Sequence, residues 1–191
     1  MKLLLGHKIG MTQIWDNNGK LIAATVIKAE PNVVIKEKDQ TKLAVAVDGK
    51  TNKAQGYLAK KLGTKLGVWI KSAQGIESDS GTVDVGQFSV GDNVSITGTT
   101  KGKGFAGTIK RHNFHRGPMT HGSHNIRQPG SIGAQRPQRV PKGQKMPGHM
   151  GNVQFTARGN KVIIVDQEDN LLIVAGAVPG PNRGKVIIKG T

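Results

Sequence analysis

The sequence predicts a mainly β protein, a sandwich or a barrel, interrupted by one long, irregular basic segment. On both sides of that segment, short runs rich in Val, Ile and Thr alternate with Gly, Asn, Asp and Pro, as strands and turns do. The segment itself shows no sustained strand or helix periodicity. The 191 residues are enough for a hydrophobic core that needs no disulfide bonds.

The predicted strands follow the apolar runs of the sequence. They are 9–15, 20–29, 32–35, 43–47, 83–85, 94–97, 162–165, 171–175 and 186–188. Asp16–Gly19 is a strong hairpin-turn signal between the first two runs. Asp48 and Gly49 are expected to close the fourth, and the polar stretch 166–170 joins 162–165 to 171–175.

One or two short helices are expected in addition. Leu58, Leu62 and Leu66 have helical spacing within 54–66, although Gly56 and Gly63 weaken that prediction.

The charge is concentrated in one part of the chain. Lys and Arg number 28 against 12 Asp and Glu, a formal charge of +16, yet no acid occurs from Asn93 to Val165. That stretch holds twelve Lys or Arg, five of the six histidines, twelve glycines and five prolines. A surplus of this size is normally kept for a polyanionic partner. Nucleic acid is favoured over a membrane, because the longest aliphatic run is only Leu171–Ala175.

The N-terminal residues 1–8 contain too short an apolar stretch for a secretory signal and do not resemble an organelle leader. A cytoplasmic location is therefore expected. The lack of cysteine suits a reducing compartment and removes thiolate metal sites and cysteine nucleophiles.

The middle of the basic segment, Arg111–Met150, has few aliphatic residues and many Gly and Pro. Such a segment cannot bury enough apolar surface to offset its ordering entropy, so a partner must supply the missing contacts. With no acid to pair internally, its cations are available to phosphate oxygens. A disordered basic linker is the alternative. Scattered apolar residues such as Phe114, Met119 and Ile126 argue against so simple a composition.

Two short motifs begin the basic segment. Gly102–Gly107 reads G-x-G-x-x-G, but a dinucleotide site also needs an acid about twenty residues later, and none occurs before Asp166. Lys103–Ala106 matches half of an RRM signature, but only 4% of the residues are aromatic. Instead, 101–111 is predicted to be a Gly-rich turn entering a short helix, with backbone N–H groups and basic side chains facing phosphates.

Other motifs give weaker signals. Gly49–Thr51 resembles the end of a Walker loop, but Ala44 replaces the required glycine. The histidines at 112, 115, 121 and 124 have no Cys or carboxylate nearby, so no metal site is predicted. The basic segment also lacks carboxylates for acid–base catalysis, and neither an enzyme nor a cofactor is expected.

Several longer motifs resemble one family. Leu5–Gln13 (LGHKIGMTQ) resembles the opening of universal large-subunit ribosomal protein three of the bacterial type, and Lys101–His112 (KGKGFAGTIKRH) resembles that family's central signature. The resemblance continues, in order, through HGS at 121–123, PGSIG at 129–133, KMPGHMG at 145–151 and LLIVAGAVPG at 171–180.

The resemblance implies a Greek-key β-barrel of the translation-protein type with a loop that penetrates ribosomal RNA. It also implies early action in subunit assembly, and neighbours among large-subunit proteins, namely proteins fourteen and nineteen. The motif Lys145–Gly151 matches the loop tip nearest the peptidyl-transferase centre. It comprises Lys145, Met146, Pro147, Gly148, His149, Met150 and Gly151. Some bacterial members carry a methylated glutamine where His149 stands, so that modification is not expected here.

The resulting expectation is a structural constituent of the large ribosomal subunit that binds its rRNA. Residues 1–100 and 153–191 form the barrel domain, and 101–152 form the extended loop. No membrane contact and no homo-oligomer are expected. The predicted rRNA-binding residues are Lys101, Lys103, Lys110, Arg111, His112, His115, Arg116, His121, His124, Arg127, Arg136, Arg139, Lys142, Lys145 and Arg158. The alternatives are a non-ribosomal architectural protein for RNA or DNA, and an additional role as an RNA chaperone.

Overall fold

The computed structural model describes residues 2–16, 19–37, 40–50, 53, 56–61, 66–73, 81–136 and 138–190. The strands are β1 (Leu3–Trp15), β2 (Leu21–Lys28), β3 (Asn32–Glu37), β4 (Gln40–Lys50), β5 (Leu66–Ala73), β6 (Thr82–Val83), β7 (Asn93–Thr99), β8 (Phe105–Ala106), β9 (Gly148–His149), β10 (Gln154–Asp166), β11 (Leu171–Ala175) and β12 (Lys185–Gly190). The described helices are α1 (Gly56–Lys61), α2 (Thr108–His112) and a 3-10 turn at Val85–Gln87. The predicted mainly β class is confirmed.

Six strands close into a barrel in the order β1, β12, β7, β10, β11, β2. Every neighbouring pair is antiparallel. Along the barrel, β12 lies beside β7, which is followed by β10 and β11. This is the 4-1-2-3 order of a Greek key, in which the last strand returns beside the first. The connection between the first two of these strands is the whole basic segment.

Alternating side chains fill the barrel. In β7, Val94 and Ile96 are fully buried whereas Ser95 and Thr97 are less so, which confirms the predicted alternation. Leu172 in β11 and Ile188 in β12 are also fully buried in the same core. Successive strand residues point to opposite faces, so the buried core residues alternate with less buried ones along β7, β11 and β12.

A second sheet, in the order β5, β4, β3, β6, lies in the same compact unit. One of its faces joins the barrel core through Val34, Leu43 and Val45. The other face carries Ile35 and Ala44, which cluster with residues of α1 and β5. Both faces of this sheet are therefore at least partly covered.

The predicted hairpin between β1 and β2 is present, with Trp15 opposite Leu21. The N–H of Asp16 donates to the carbonyl of Lys20 at 2.8 Å, and Gly19 has a left-handed φ of 71°. Residues 17 and 18 of the predicted turn lie outside the described residues.

Several predicted boundaries are wrong. β1 begins at Leu3 rather than at residue 9, and β10 begins at Gln154 rather than at 162. Val85 starts the 3-10 turn instead of ending a strand. In each case, pairing with a strand distant in sequence decides the boundary, and local composition does not show that pairing.

The expected turn at residues 48 and 49 is also wrong, because β4 continues to Lys50. The register between β4 and β5 shifts between Val47 and Lys50, so a bulge occupies this position. The leucine-based helix is only α1. Leu66 instead begins β5, a strand that was not predicted, and Leu62 lies outside the described residues.

A charged contact lies at the turn before β7. The ammonium of Lys2 donates to a carboxylate oxygen of Asp92 at 2.7 Å, and the backbone N–H of Ser89 donates to the same oxygen at 3.1 Å. The hydrogen bond from Lys2, followed by the one from Ser89, lowers the pKa of Asp92 below its ordinary value.

The chain divides into two compact units. The barrel unit comprises residues 1–100 and 154–191, and the extension comprises residues 101–153. Thr99 of β7 and Gln154 of β10 are register partners. The extension therefore leaves and re-enters the barrel unit at two adjacent strand ends.

Candidate nucleic-acid interface

The extension has a one-sided charge composition. Its 53 residues contain ten Lys or Arg and no Asp or Glu, whereas the barrel unit contains eighteen Lys or Arg and twelve acids. The formal charges are therefore +10 for the extension and +6 for the larger barrel unit. No acidic side chain within the extension can neutralise its cations, so their positive charge is available to groups outside the extension.

Backbone pairing holds the two ends of the extension together. β8 pairs antiparallel with β9, and Phe105 faces His149. The N–H of Lys103 donates to the carbonyl of Met150 at 2.9 Å, and the N–H of Met150 donates to the carbonyl of Gly104 at 2.9 Å. Residues 107–147 are thus a single excursion closed at its base by a short ladder.

Two glycines allow this close approach. Gly151 has φ 76°, and a Cβ there would collide with the backbone carbonyl of Lys101. At Gly148, a Cβ would lie 2.7 Å from Nη1 of Arg111. At Gly151 the obstacle is backbone and φ is positive, so the local geometry requires glycine there, whereas at Gly148 a side chain would displace the end of Arg111.

The helix α2 supplies a second connection across the base. Nη1 of Arg111 donates to the carbonyl of Met146 at 2.7 Å, and Nε2 of His112 donates to the same oxygen at 3.1 Å. A carbonyl oxygen has two lone pairs and can accept both bonds. Asn113 then ends the helix in the left-handed region, with φ 57°. The two side chains fix residue 146 relative to α2.

Sparser contacts order the middle of the excursion. The N–H of Gly117 donates to the carbonyl of Ile126 at 3.0 Å, which closes a smaller loop. Further on, the N–H of Gln144 donates to the carbonyl of Pro141 at 3.3 Å, as in a turn. Among the described residues from 113 to 147 there is no helix or strand.

The structure places the predicted binding residues in two environments. Only Arg111 and His112 are half-buried, through their bonds to Met146. The other thirteen are exposed, namely Lys101, Lys103, Lys110, His115, Arg116, His121, His124, Arg127, Arg136, Arg139, Lys142, Lys145 and Arg158. Arg158 lies on β10 in the barrel unit, at a register shift between Ala157 and Asn160, whereas the others belong to the extension.

The extension's cations have no acidic partners in the described part of the chain. The ion pairs found there are Lys2 with Asp92 at 2.7 Å and Lys28 with Glu30 at 3.3 Å, both within the barrel unit. An exposed, hydrated cation loses little hydration free energy when it contacts a phosphate. Each phosphate contact releases condensed counterions from the nucleic acid, and that release drives binding.

The segment Lys145–Gly151, expected at the loop tip, lies against the start of the extension. Gly148 and His149 form β9, and Met150 bonds to Lys103 and Gly104. His149 is exposed. The position of this segment relative to a catalytic centre of the ribosome stays a prediction.

The histidines form no metal centre among the residues that the structure describes, where no group of three His or acidic side chains is suitably placed. His112 instead packs against Phe114, with ring centroids 6.0 Å apart. Sequence reasoning missed the carbonyl of Met146 as the common acceptor for Arg111 and His112. A backbone acceptor has no signature in the residue type, so no sequence signal was available.

Some apolar side chains of the extension are exposed as well. Phe105 is 79% exposed and Met119 is 65% exposed. A packed core accounts for neither side chain, so both are available to a partner surface.

A closed β-barrel with a cationic, acid-free extension defines a strongly basic protein of a composition typical of proteins that bind a polyanion. The chain matches the family described as Ribosomal protein L3 over residues 16–177. It is 46% identical over 206 residues to large ribosomal subunit protein uL3 of Heliobacterium modesticaldum, covering 100% of this chain and 97% of that protein.

Proteins with the same name in two other bacteria are similarly close. The chain is 45% identical over 202 residues to the one in Oceanobacillus iheyensis (98% and 96% coverage) and 44% identical over 201 residues to the one in Shouchella clausii (98% and 97% coverage). The chain belongs to the Ribosomal protein L3 family. The resemblance found in the motifs is thereby confirmed. The family consists of structural ribosomal proteins, in agreement with the expectation that the chain is not an enzyme.

Among the helices that the structure describes, none has both the length and the apolar composition that a membrane crossing requires.

Proposed function

We propose that this chain is a structural constituent of the large ribosomal subunit that binds large-subunit rRNA directly, chiefly through its extension. One observation carries the proposal: the extension has ten cations and no acid, and no described cation in it has an acidic partner. Packed RNA concentrates negative charge, so a protein segment placed within it needs this one-sided composition.

The backbone of the extension supports the same function. Between residues 113 and 147, Gly122, Gly130 and Gly143 all have positive φ, and a Cβ at any of them would meet nothing within 4 Å of the protein. These glycines turn the chain where no protein contact fills the space around them. Such turns leave backbone accessible to closely packed RNA segments.

The barrel unit acts as the rigid base in this proposal. Its closed ring of strands fixes Thr99 and Gln154 beside each other, so both ends of the extension start from defined positions. Residues 101–152 are the proposed rRNA-penetrating segment. All fifteen predicted binding residues stay in the proposal, with Arg111 and His112 also ordering the segment internally.

The finer parts of the proposal rest on the family. We propose that the protein acts in the cytoplasm as part of the ribosome and that it has an early role in subunit assembly. We also propose that it contacts large-subunit proteins fourteen and nineteen. Lys145–Gly151 is proposed to lie nearest the peptidyl-transferase centre. Any influence on peptide transfer is indirect, through the positions of nucleotides. The proposal includes no metal, cofactor or homo-oligomer.

The test replaces residues 112–150 by a short Gly-Ser linker and follows incorporation into subunits on sucrose gradients. The variant should remain a folded barrel, because the described residues among those removed contribute no side chain to the barrel core, but it should incorporate poorly. A matched control changes Arg127, Arg136 and Arg139 to Lys. It keeps the charge and should incorporate far better. Normal incorporation and translation with the linker variant would contradict the proposal.

The unmodified chain provides a second readout. It should co-sediment with the large subunit at elevated salt and lose that association after RNase treatment. Sedimentation as free protein would favour a non-ribosomal architectural role.

A further inference from the structure

A cleft of about 200 Å³ lies in the barrel unit, between β5 and the barrel strands β7, β10 and β12. It is smaller than the roughly 300–1,000 Å³ typical of small-molecule sites. The side chains that line it combine one aromatic ring, two cations and several neutral polar groups. Those used below are Trp69, Lys71, Thr97, Thr99, Gln154 and Lys185.

Two neighbouring side chains contact the aromatic wall of the cleft. The ring centroids of His7 and Trp69 are 6.3 Å apart, with planes tilted by 52°. The ammonium of Lys185, which faces His7 across β1 and β12, lies 5.6 Å from the centroid of the Trp69 ring. Trp69 is half-buried and packs against the hydrophobic core. The indole is therefore held by neighbouring side chains, and it also lines the cleft.

Two exposed lysines flank this indole. Lys71 follows Trp69 by two residues on β5, and Lys185 approaches from β12. Neither belongs to an ion pair among the described residues. The cleft therefore offers positive charge on both strands that border its aromatic wall.

Polar side chains that line the cleft supply hydrogen-bonding groups. The hydroxyls of Thr97 and Thr156 are 2.8 Å apart, and when Thr156 donates to Thr97, the hydrogen of Thr97 remains available in the cleft. Thr99 and Gln154 are exposed register partners at the ends of β7 and β10. An amide such as that of Gln154 both donates and accepts, as the edge of a nucleobase requires.

We propose that this cleft binds one unpaired nucleotide of RNA, with its base stacked on Trp69 and its phosphates held by Lys71 and Lys185. The inference rests on the proposed function and adds a base-binding site on the barrel unit, lined by residues that were not among the predicted binding residues. Single-stranded RNA is recognised by combining an aromatic stacking surface with cations that contact the backbone. A free anion would use the lysines but not the indole.

The test uses the full-length chain with Trp15→Phe, which leaves Trp69 as the only tryptophan. Trp15 is 70% exposed, so this change should not affect the core. Titration with a short single-stranded RNA pentanucleotide should quench Trp69 fluorescence, because a stacked base quenches indole. Inorganic phosphate at equal concentration should not. Unchanged Trp69 fluorescence at RNA saturation, or equal quenching by phosphate, would overturn the proposal.

Further variants identify the contacts. In the Trp15→Phe chain, Lys71→Gln and Lys185→Gln should each reduce the salt slope of pentanucleotide binding by about 0.7, whereas the control Lys161→Gln should not. In the otherwise unmodified chain, Trp69→Leu should weaken pentanucleotide binding, measured by anisotropy of a labelled RNA, roughly 5- to 150-fold, the range for loss of one base–aromatic stack. Variants at Lys71 and Lys185 that match Lys161→Gln would refute the site.

The two proposals fail separately. Neutralising Arg127, Arg136 and Arg139 should weaken rRNA binding but leave the Trp69 quenching by the pentanucleotide unchanged. Tight rRNA binding without that quenching would remove the cleft proposal alone. Quenching in a protein that does not bind large-subunit rRNA would remove the proposed function alone.

Discussion

The barrel unit and the extension are held in shape by different interactions. In the barrel unit, alternating apolar residues such as Ile96, Leu172 and Ile188 are fully buried, and ladders of backbone hydrogen bonds close the sheet. In the described part of the extension only Ala106 and Thr108 are buried. Apolar burial stabilises the first unit, whereas a few backbone closures and glycine turns shape the second. The second unit is the one suited to contacts outside the chain.

The largest expected contrast between the units is in their response to truncation of an apolar side chain. Leu172→Ala should lower the free energy of unfolding by about 2–5 kcal/mol, because it leaves a cavity in a packed core. Ile132→Ala in the extension should change it by less than about 0.5 kcal/mol, because Ile132 is exposed. Urea denaturation followed by circular dichroism measures both. Similar losses would mean that the extension belongs to the same cooperative core.

A smaller contrast is expected within the extension itself. Gly151→Ala should destabilise its base, since the new Cβ would meet the carbonyl of Lys101 and φ is 76°. Gly143 has a similar φ of 83°, but no atom lies within 4 Å of the Cβ that Gly143→Ala would add. Only the conformational penalty of about 1–2 kcal/mol therefore applies there.

Hydrogen exchange of the Lys103 amide, which donates to Met150, reports on the base. Its protection should fall markedly in the Gly151 variant and little in the Gly143 variant. Equal protection in both would show that the base does not depend on this close approach.

The same contrast explains how far the sequence could be interpreted. The strand at 94–97 was predictable because Val94 and Ile96 alternate with polar residues and local pattern matches burial. The absence of acids marked the extension directly. β5 was missed, because Leu58, Leu62 and Leu66 have helical spacing and only pairing with β4 makes Leu66 a strand residue.

Part of the candidate site was beyond sequence analysis for a physical reason. The first half of β10 is largely exposed and polar, so its pairing with β7 rather than its composition makes it a strand. Likewise, Arg111 was predicted as a cation for RNA, but its bond to the carbonyl of Met146 depends on folding over 35 residues of sequence separation. Charge is a property of single residues and can be read locally, whereas such contacts cannot.

The most direct test of the central claim compares the salt dependence of rRNA binding in two charge-matched variants. One changes Arg127, Arg136 and Arg139 of the extension to Gln, and the other changes Lys20, Lys36 and Lys189 of the barrel unit to Gln. All six side chains are exposed. If the extension meets the phosphates, the first variant should reduce the slope of log K against log salt by about 2–3, while the second should leave it nearly unchanged. An equal reduction in both, or a larger one for the barrel variant, would contradict the assignment of RNA binding chiefly to the extension.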